Sequence, residues 1–141
     1  MAENDKISQW SLTLLRVVLG IIFLYHGYVK LFVPGAFVGT VGLFTKIGIF
    51  LPKISALVVS VVEFAGGILL ILGLLTRWTT LLLIIEMVVA LFTLHLRNGF
   101  LVSNGGYEFV LLILAALVVI ISSGAGKLSV GKKYFKNKHL L

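Results

Sequence analysis

The chain has 141 residues, enough for one domain; 60% of them are apolar and 12% charged, against roughly 45–50% and roughly 25% in soluble proteins. A soluble fold this small could not hide so much apolar surface, which excludes an ordinary soluble protein and a disordered chain alike. The net charge of +7 and the absence of cysteine point to membrane orientation and anionic headgroups rather than nucleic acid, and remove disulfides, thiolate metal sites and thiol redox cycling.

A membrane-spanning helix needs about 20 mainly apolar residues, and the chain holds four candidate spans. The first, residues 10–32, carries Arg16, His26 and Lys30. Its stretch 17–25 has the form of a signal-peptide apolar region, but His26, Lys30 and Pro34 behind it argue against cleavage. Residues 34–52 are apolar and rich in glycine (Gly35, Gly39, Gly42, Gly48). They read as an interfacial or re-entrant segment with a short helix over 38–50. The second span, 54–76, has Glu63 as its only acidic residue, and Arg77 marks a tight turn. The third, 78–97, carries Glu86 and ends in His95 and Arg97. Asn98-Gly99 and Asn104-Gly105-Gly106 then form a short loop. The fourth span covers 106–126, and the chain closes on Lys127, Lys132, Lys133, Lys136 and Lys138.

The expected fold is a single all-α membrane domain over 1–141: an antiparallel four-transmembrane-helix bundle with a short interfacial or re-entrant segment between helices 1 and 2. Four spans put both termini on one side, and the lysine tail makes that side cytoplasmic, in a multi-pass protein of the cell membrane. Lys6 and Arg77 then fall inside, Lys46, Lys53 and Arg97 outside, and Trp10, Trp78 and Tyr134 at the inner interface.

Helical residues four, seven and eleven apart share a face. Arg16, Gly20, Phe23, Gly27 and Lys30 form such a stripe, with His26 on its flank. Ala56, Ser60, Glu63, Gly67 and Leu70 form another, beside Gly66; Thr79, Glu86, Thr93 and Arg97 a third; Glu108, Ala115 and Ser122 a fourth. Small residues let helices pack closely in lipid, so these polar stripes are expected to face inward. The rise of about 1.5 Å per residue puts Glu63 and Glu86 near mid-bilayer and Arg16 within reach of Glu86. It gathers His26, Lys30, His95, Tyr107 and Glu108 toward the outer face. Two cations facing three carboxylates leave either one Glu to be neutralised by a proton or His26 to be charged.

The same stripes carry a resemblance. Arg16-x-x-Leu19-Gly20, Phe23-x-x-His26-Gly27-x-x-Lys30-Leu31, Glu63-x-x-Gly66-Gly67, Leu72-Gly73-Leu74-Leu75-Thr76-Arg77, Gly105-Gly106-Tyr107-Glu108 and Gly124-Ala125-Gly126-Lys127-Leu128-Ser129 resemble the DoxX-like family of small membrane proteins. The match runs over nearly the whole chain in family order. One departure is the Val130-Gly131 and lysine run where the family often has an acidic residue. The resemblance implies four transmembrane helices, kinship with the membrane subunit of a thiosulfate:quinone oxidoreductase, and a link to membrane redox complexes.

The polar residues support two site readings. Arg16, Glu63 and Glu86 form either a structural ion network or a proton-handling centre. His26, Lys30, Tyr107 and Glu108 line a quinone or anion site, with Phe23, Tyr25, Tyr28, Phe32 and Phe37 as a ring-packing environment. A bis-histidine haem on His26 and His95, or a metal held by His26, His95 and Glu108, is disfavoured. Unbroken α-helical spacing turns His95 away from the face that bears Glu86 and Arg97. The reading with most support is a redox-system subunit that engages quinone or anchors a soluble oxidoreductase. Its implied partners are membrane lipids and a soluble redox protein, with a homo-oligomer left open. The alternatives are a small proton-coupled transporter and a structural scaffold.

Overall fold

The computed structural model describes residues 2–131, and every element in that range is helical. Helix α1 spans Ala2–Phe32, α2 Ala36–Lys46, α3 Pro52–Leu72, α4 Thr76–Ala90 and α5 Glu108–Ser123. A π-helical turn, Leu91–His95, and a 3-10 turn, Leu96–Asn98, prolong α4. Among the described residues, three helical stretches are long and apolar enough to cross a membrane: Glu3–Phe32, Pro52–Leu72 and Thr76–Asn98. Helix α5 is apolar but has 16 residues, so it is shorter than the usual span of about 20. Tyr134 and the lysines at 132, 133, 136 and 138 lie outside the described residues.

The tightest packing joins α1 to α3, and glycine makes it possible. A Cβ on Gly27 would run into the backbone nitrogen of Phe64, and one on Gly67 into that of Leu24. A Cβ on Gly20 would lie 2.7 Å from Ile71 Cγ1 and 2.9 Å from Gly67 O. Backbone meets backbone, as in the close small-residue crossings of membrane helices. The expected inward stripes of both helices are borne out. Arg16, Gly20, Phe23 and Gly27 are buried on α1; Ala56, Ser60, Glu63, Gly66, Gly67 and Leu70 are buried on α3.

This antiparallel register carries Arg16 to the C-terminal end of α3, beside Gly73, which takes it away from Glu63 and Glu86. Its guanidinium donates to the carbonyls of Leu70 and Ile71, and to that of Leu128 in the segment after α5. Gly73, in the left-handed region at φ 70°, ends α3 with Gly73 N–H on Leu70 O and Leu74 N–H on Leu69 O. Arg16 thus places a positive charge on the carbonyl end of α3, where the helix dipole favours it. The 124–129 segment docks at the same place. Ser129 Oγ donates to Gly73 O (2.8 Å), and Lys127 N–H donates to Thr13 Oγ1 (2.9 Å) and Gln9 O (3.1 Å). Three of the sequence blocks that carry the family resemblance therefore meet in one clasp. Arg16→Ala is expected to lower stability in mild detergent by about 1.5–3 kcal/mol. Arg16→Lys should recover only part of that, because an ammonium lacks the fork that reaches three carbonyls. Chemical denaturation of the three proteins checks both statements.

Several boundaries differ from the sequence expectation. Helix α1 begins at Ala2 rather than near residue 10, so at about 1.5 Å per residue it outruns the bilayer core. The α3–α4 turn falls at Gly73–Leu75, and Arg77 already lies inside α4. The short helix before α3 is Ala36–Lys46, not 38–50: Gly48, in the left-handed region at φ 77°, ends it. The α5 stripe is also corrected. Val110, Ile113, Leu117 and Ile120 face inward, while Ala115 and Ser122 are exposed. Ser122 satisfies its hydroxyl within the helix, on Val118 O and Val119 O, so it needs no partner in the bundle.

Candidate functional site

Three ionisable groups from three helices meet at one level. Lys30 of α1, about one turn beyond Gly27, reaches Glu63 of α3 with Nζ 2.6 Å from Oε2. The lysine side chain is 23% exposed and the glutamate 5%, so this ion pair is largely withdrawn from solvent. Helix α4 brings the third group. Gly66 packs toward Thr79 and Leu83, and that register sets Glu86 level with Glu63. The Glu86 carboxyl sits beside that of Glu63, with Lys30 close enough to act on it. Its Oε2 is buried and has no hydrogen-bond partner among the described residues. A buried carboxylate oxygen in this condition costs free energy unless a proton or a ligand meets it.

All three groups line a cavity of about 630 Å³ between the helices. Its walls are mostly apolar, with Phe23 of α1, Phe44 of α2 and Phe109 of α5 as aromatic faces. Helix α2 lines one side with Thr40, Leu43 and Phe44, followed by its C-cap Ile47. His26 and His95 also line the space.

His95 arrives there because α4 is not a regular helix to its end. Nine residues of α-helix separate two positions by half a turn beyond whole turns, which would set His95 opposite Glu86. The π turn at Leu91–His95 holds one extra residue and sets the residues after it back by about 100°. His95 swings to the cavity flank, and Arg97 leaves the Glu86 face and is exposed. The His95 ring is held by the loop: Nδ1–H donates to Gly105 O at 2.7 Å.

The residues read from the sequence are thus regrouped. Glu63 and Glu86 come together with Lys30 rather than with Arg16, which sits in the clasp at the far end of α3, while His26 lies exposed on the rim of the same cavity. Tyr107 closes the loop that follows α4 and caps α5, and Glu108 is the first residue of α5. Tyr107 packs edge-on against Phe100 with ring centres 5.4 Å apart, and Glu108 Oε1 accepts from Val102 N–H at 2.7 Å. Of the expected aromatic group, Phe23 lines the cavity, while Tyr25, Tyr28 and Phe32 are exposed. Phe44 and Phe109 take their place. The Phe44 face was open to a helical-spacing argument on α2; the position of His95 was not, because a π turn leaves no mark in residue spacing. Among the described residues no three His, Asp or Glu side chains converge on a metal site. Glu108→Gln should weaken the loop clamp and speed amide hydrogen exchange over residues 99–107 by about tenfold. Exchange in α3 should stay unchanged.

The fold and the site describe a small all-helical membrane protein with a buried lysine–carboxylate cluster at the wall of an apolar cavity. The DoxX family model matches residues 11–96, and the chain belongs to that family. An uncharacterized protein of Haemophilus influenzae is 36% identical, over 96% of this chain and 99% of its own length. A Bacillus subtilis protein named "Putative oxidoreductase CatD" is 34% identical, over 95% and 94%. The uncharacterized membrane protein Rv3486 of Mycobacterium tuberculosis is 33% identical, over 89% and 82%. No solved structure matches the chain.

Proposed function

We propose that the chain is an integral membrane subunit of a redox system whose cavity holds the headgroup of a lipophilic quinone. In this reading it is a four-helix bundle in the cell membrane, with α5 as the fourth span and both termini cytoplasmic. The observation that carries the reading is the Glu86 carboxyl, buried and with Oε2 unsatisfied, beside an ion pair at the wall of an apolar cavity. A purely structural pair would need no second acid. The volume falls in the usual range of small-molecule sites, roughly 300–1,000 Å³, and Phe23, Phe44 and Phe109 offer faces for a flat ring. The redox name of the Bacillus subtilis relative supports the same class of activity.

A bound quinone would supply reversible two-electron, two-proton chemistry. The chain's own part is binding and proton handling. The Lys30 ammonium can donate to a carbonyl oxygen while still paired with Glu63. One lysine against two carboxylates leaves a surplus negative charge, which a proton on the Glu63–Glu86 pair removes. That proton sits at the Glu86 carboxyl, ready to be given up and replaced. The chain has no cysteine, so no thiol of its own carries the electrons; a soluble redox protein is the expected donor or acceptor.

Lipid extracts of protein purified in mild detergent are expected to contain near-stoichiometric quinone, and extracts of Glu86→Leu to lack it. Consistent absence from the unmodified protein, with no redox partner co-purifying, would contradict the reading. The surplus acid also fits a small proton-coupled transporter. A pH-gradient-driven flux in proteoliposomes, abolished by Glu86→Gln, would favour that second reading.

A further inference from the structure

We propose that His95 is the proton relay between the loop-side aqueous phase and the Glu63–Glu86 pair; this rests on the reading of that pair as a proton-exchanging site. The Gly105 carbonyl can only accept, so the 2.7 Å contact fixes the proton on Nδ1 and leaves Nε2 as an acceptor. The ring is half-buried on the wall of the cavity that holds both carboxyls. It gets there only through the π turn at Leu91–His95. Such turns give up regular α-helical bonding and recur at functional sites.

The other titratable groups around the cavity have different surroundings. Lys30 is bound to Glu63. His26 on α1 is exposed, and its ring has an edge contact with Tyr25 and no fixing hydrogen bond among the described residues. Helices α2 and α5 present no titratable side chain to the cavity, and Glu108 is engaged with Val102 N–H. In the relay, Nε2 takes a proton from loop-side water to give an imidazolium. It then releases that proton through water in the cavity to a carboxylate oxygen of the pair, and the neutral Nδ1–H ring is restored. No bond to carbon changes and no electron moves.

The test is infrared spectroscopy of the full chain in lipid vesicles. The unmodified protein is expected to show a protonated-carboxyl band that Glu86→Gln removes and that shifts on transfer to D2O. In His95→Gln, which keeps a donor for Gly105 O, the band should persist while its exchange slows by about tenfold or more. In His95→Ala, added imidazole should restore fast exchange, and His26→Gln should exchange like the unmodified protein. A band with unchanged exchange in His95→Gln, slowing in His26→Gln instead, or no rescue by imidazole would overturn the relay alone. Absence of any protonated-carboxyl band would overturn the relay and the proton-exchanging site together.

Discussion

Lys30→Met is expected to destabilise the protein in mild detergent by about 3–5 kcal/mol, the usual cost of leaving one partner of a buried ion pair without its counter-charge. Glu63 is the partner left behind: its side chain is 5% exposed and lies beside Glu86, so removing Lys30 leaves the carboxyl pair without its counter-charge. The double variant Lys30→Met/Glu63→Leu should recover most of the loss, since an apolar pair of similar volume often matches a buried ion pair in stability. Denaturation of the singles and the double gives the coupling directly. A loss below about 1 kcal/mol in Lys30→Met would mean that the pair behaves as an exposed surface bridge.

Gly67→Leu is expected to be more severe and to leave little folded protein. The new side chain would start inside the backbone of α1 at Leu24 and Gly20 O. Backbone cannot rotate aside as a side chain can, so α1 and α3 would have to separate. Gly67→Ala, with a single added methyl, should still cost about 1–3 kcal/mol. Two other glycines serve as controls. Gly66→Ala meets Thr79 and Leu83 side chains at 3.4–3.6 Å, ordinary contact distances, and should be nearly neutral. Gly39→Ala on α2 meets nothing within 4 Å and should be neutral or stabilising by up to about 1 kcal/mol through helix propensity. Thermal unfolding in one detergent ranks all four. Loss of the order Gly67 before Gly66 before Gly39 would contradict the close α1–α3 crossing.

The sequence made some of this legible and hid the rest for identifiable reasons. The inward faces of α1 and α3 were open to reading because they combine glycine with isolated polar residues at helical spacing. The stripe on α5 misled, because Ser122 bonds within its own helix and Glu108 bonds to its own loop; polarity there carries no message about the bundle. Depth along α1 pairs Arg16 with Glu86, but depth in one helix says nothing about register against another, and Arg16 meets the end of α3 instead. The Gly20, Gly27 and Gly67 contacts set that register. Spacing along α1 places Lys30 toward the outer face, yet this register brings it onto Glu63. His95 was turned to the wrong side because periodicity arguments assume an unbroken α-helix, and α4 gives way to a π turn at Leu91.

The most direct measurement is where a quinone attaches. A photoreactive short-chain quinone, illuminated with the protein in membranes and mapped by mass spectrometry, should label residues 22–30, 43–47, 58–63 and 82–95, which hold much of the cavity wall. Unlabelled quinone should compete the label away, and Glu86→Leu should reduce it. Labelling spread over the lipid-facing surface, or centred on the Arg16 clasp and indifferent to competitor, would contradict a quinone site at the Lys30–Glu63–Glu86 cluster.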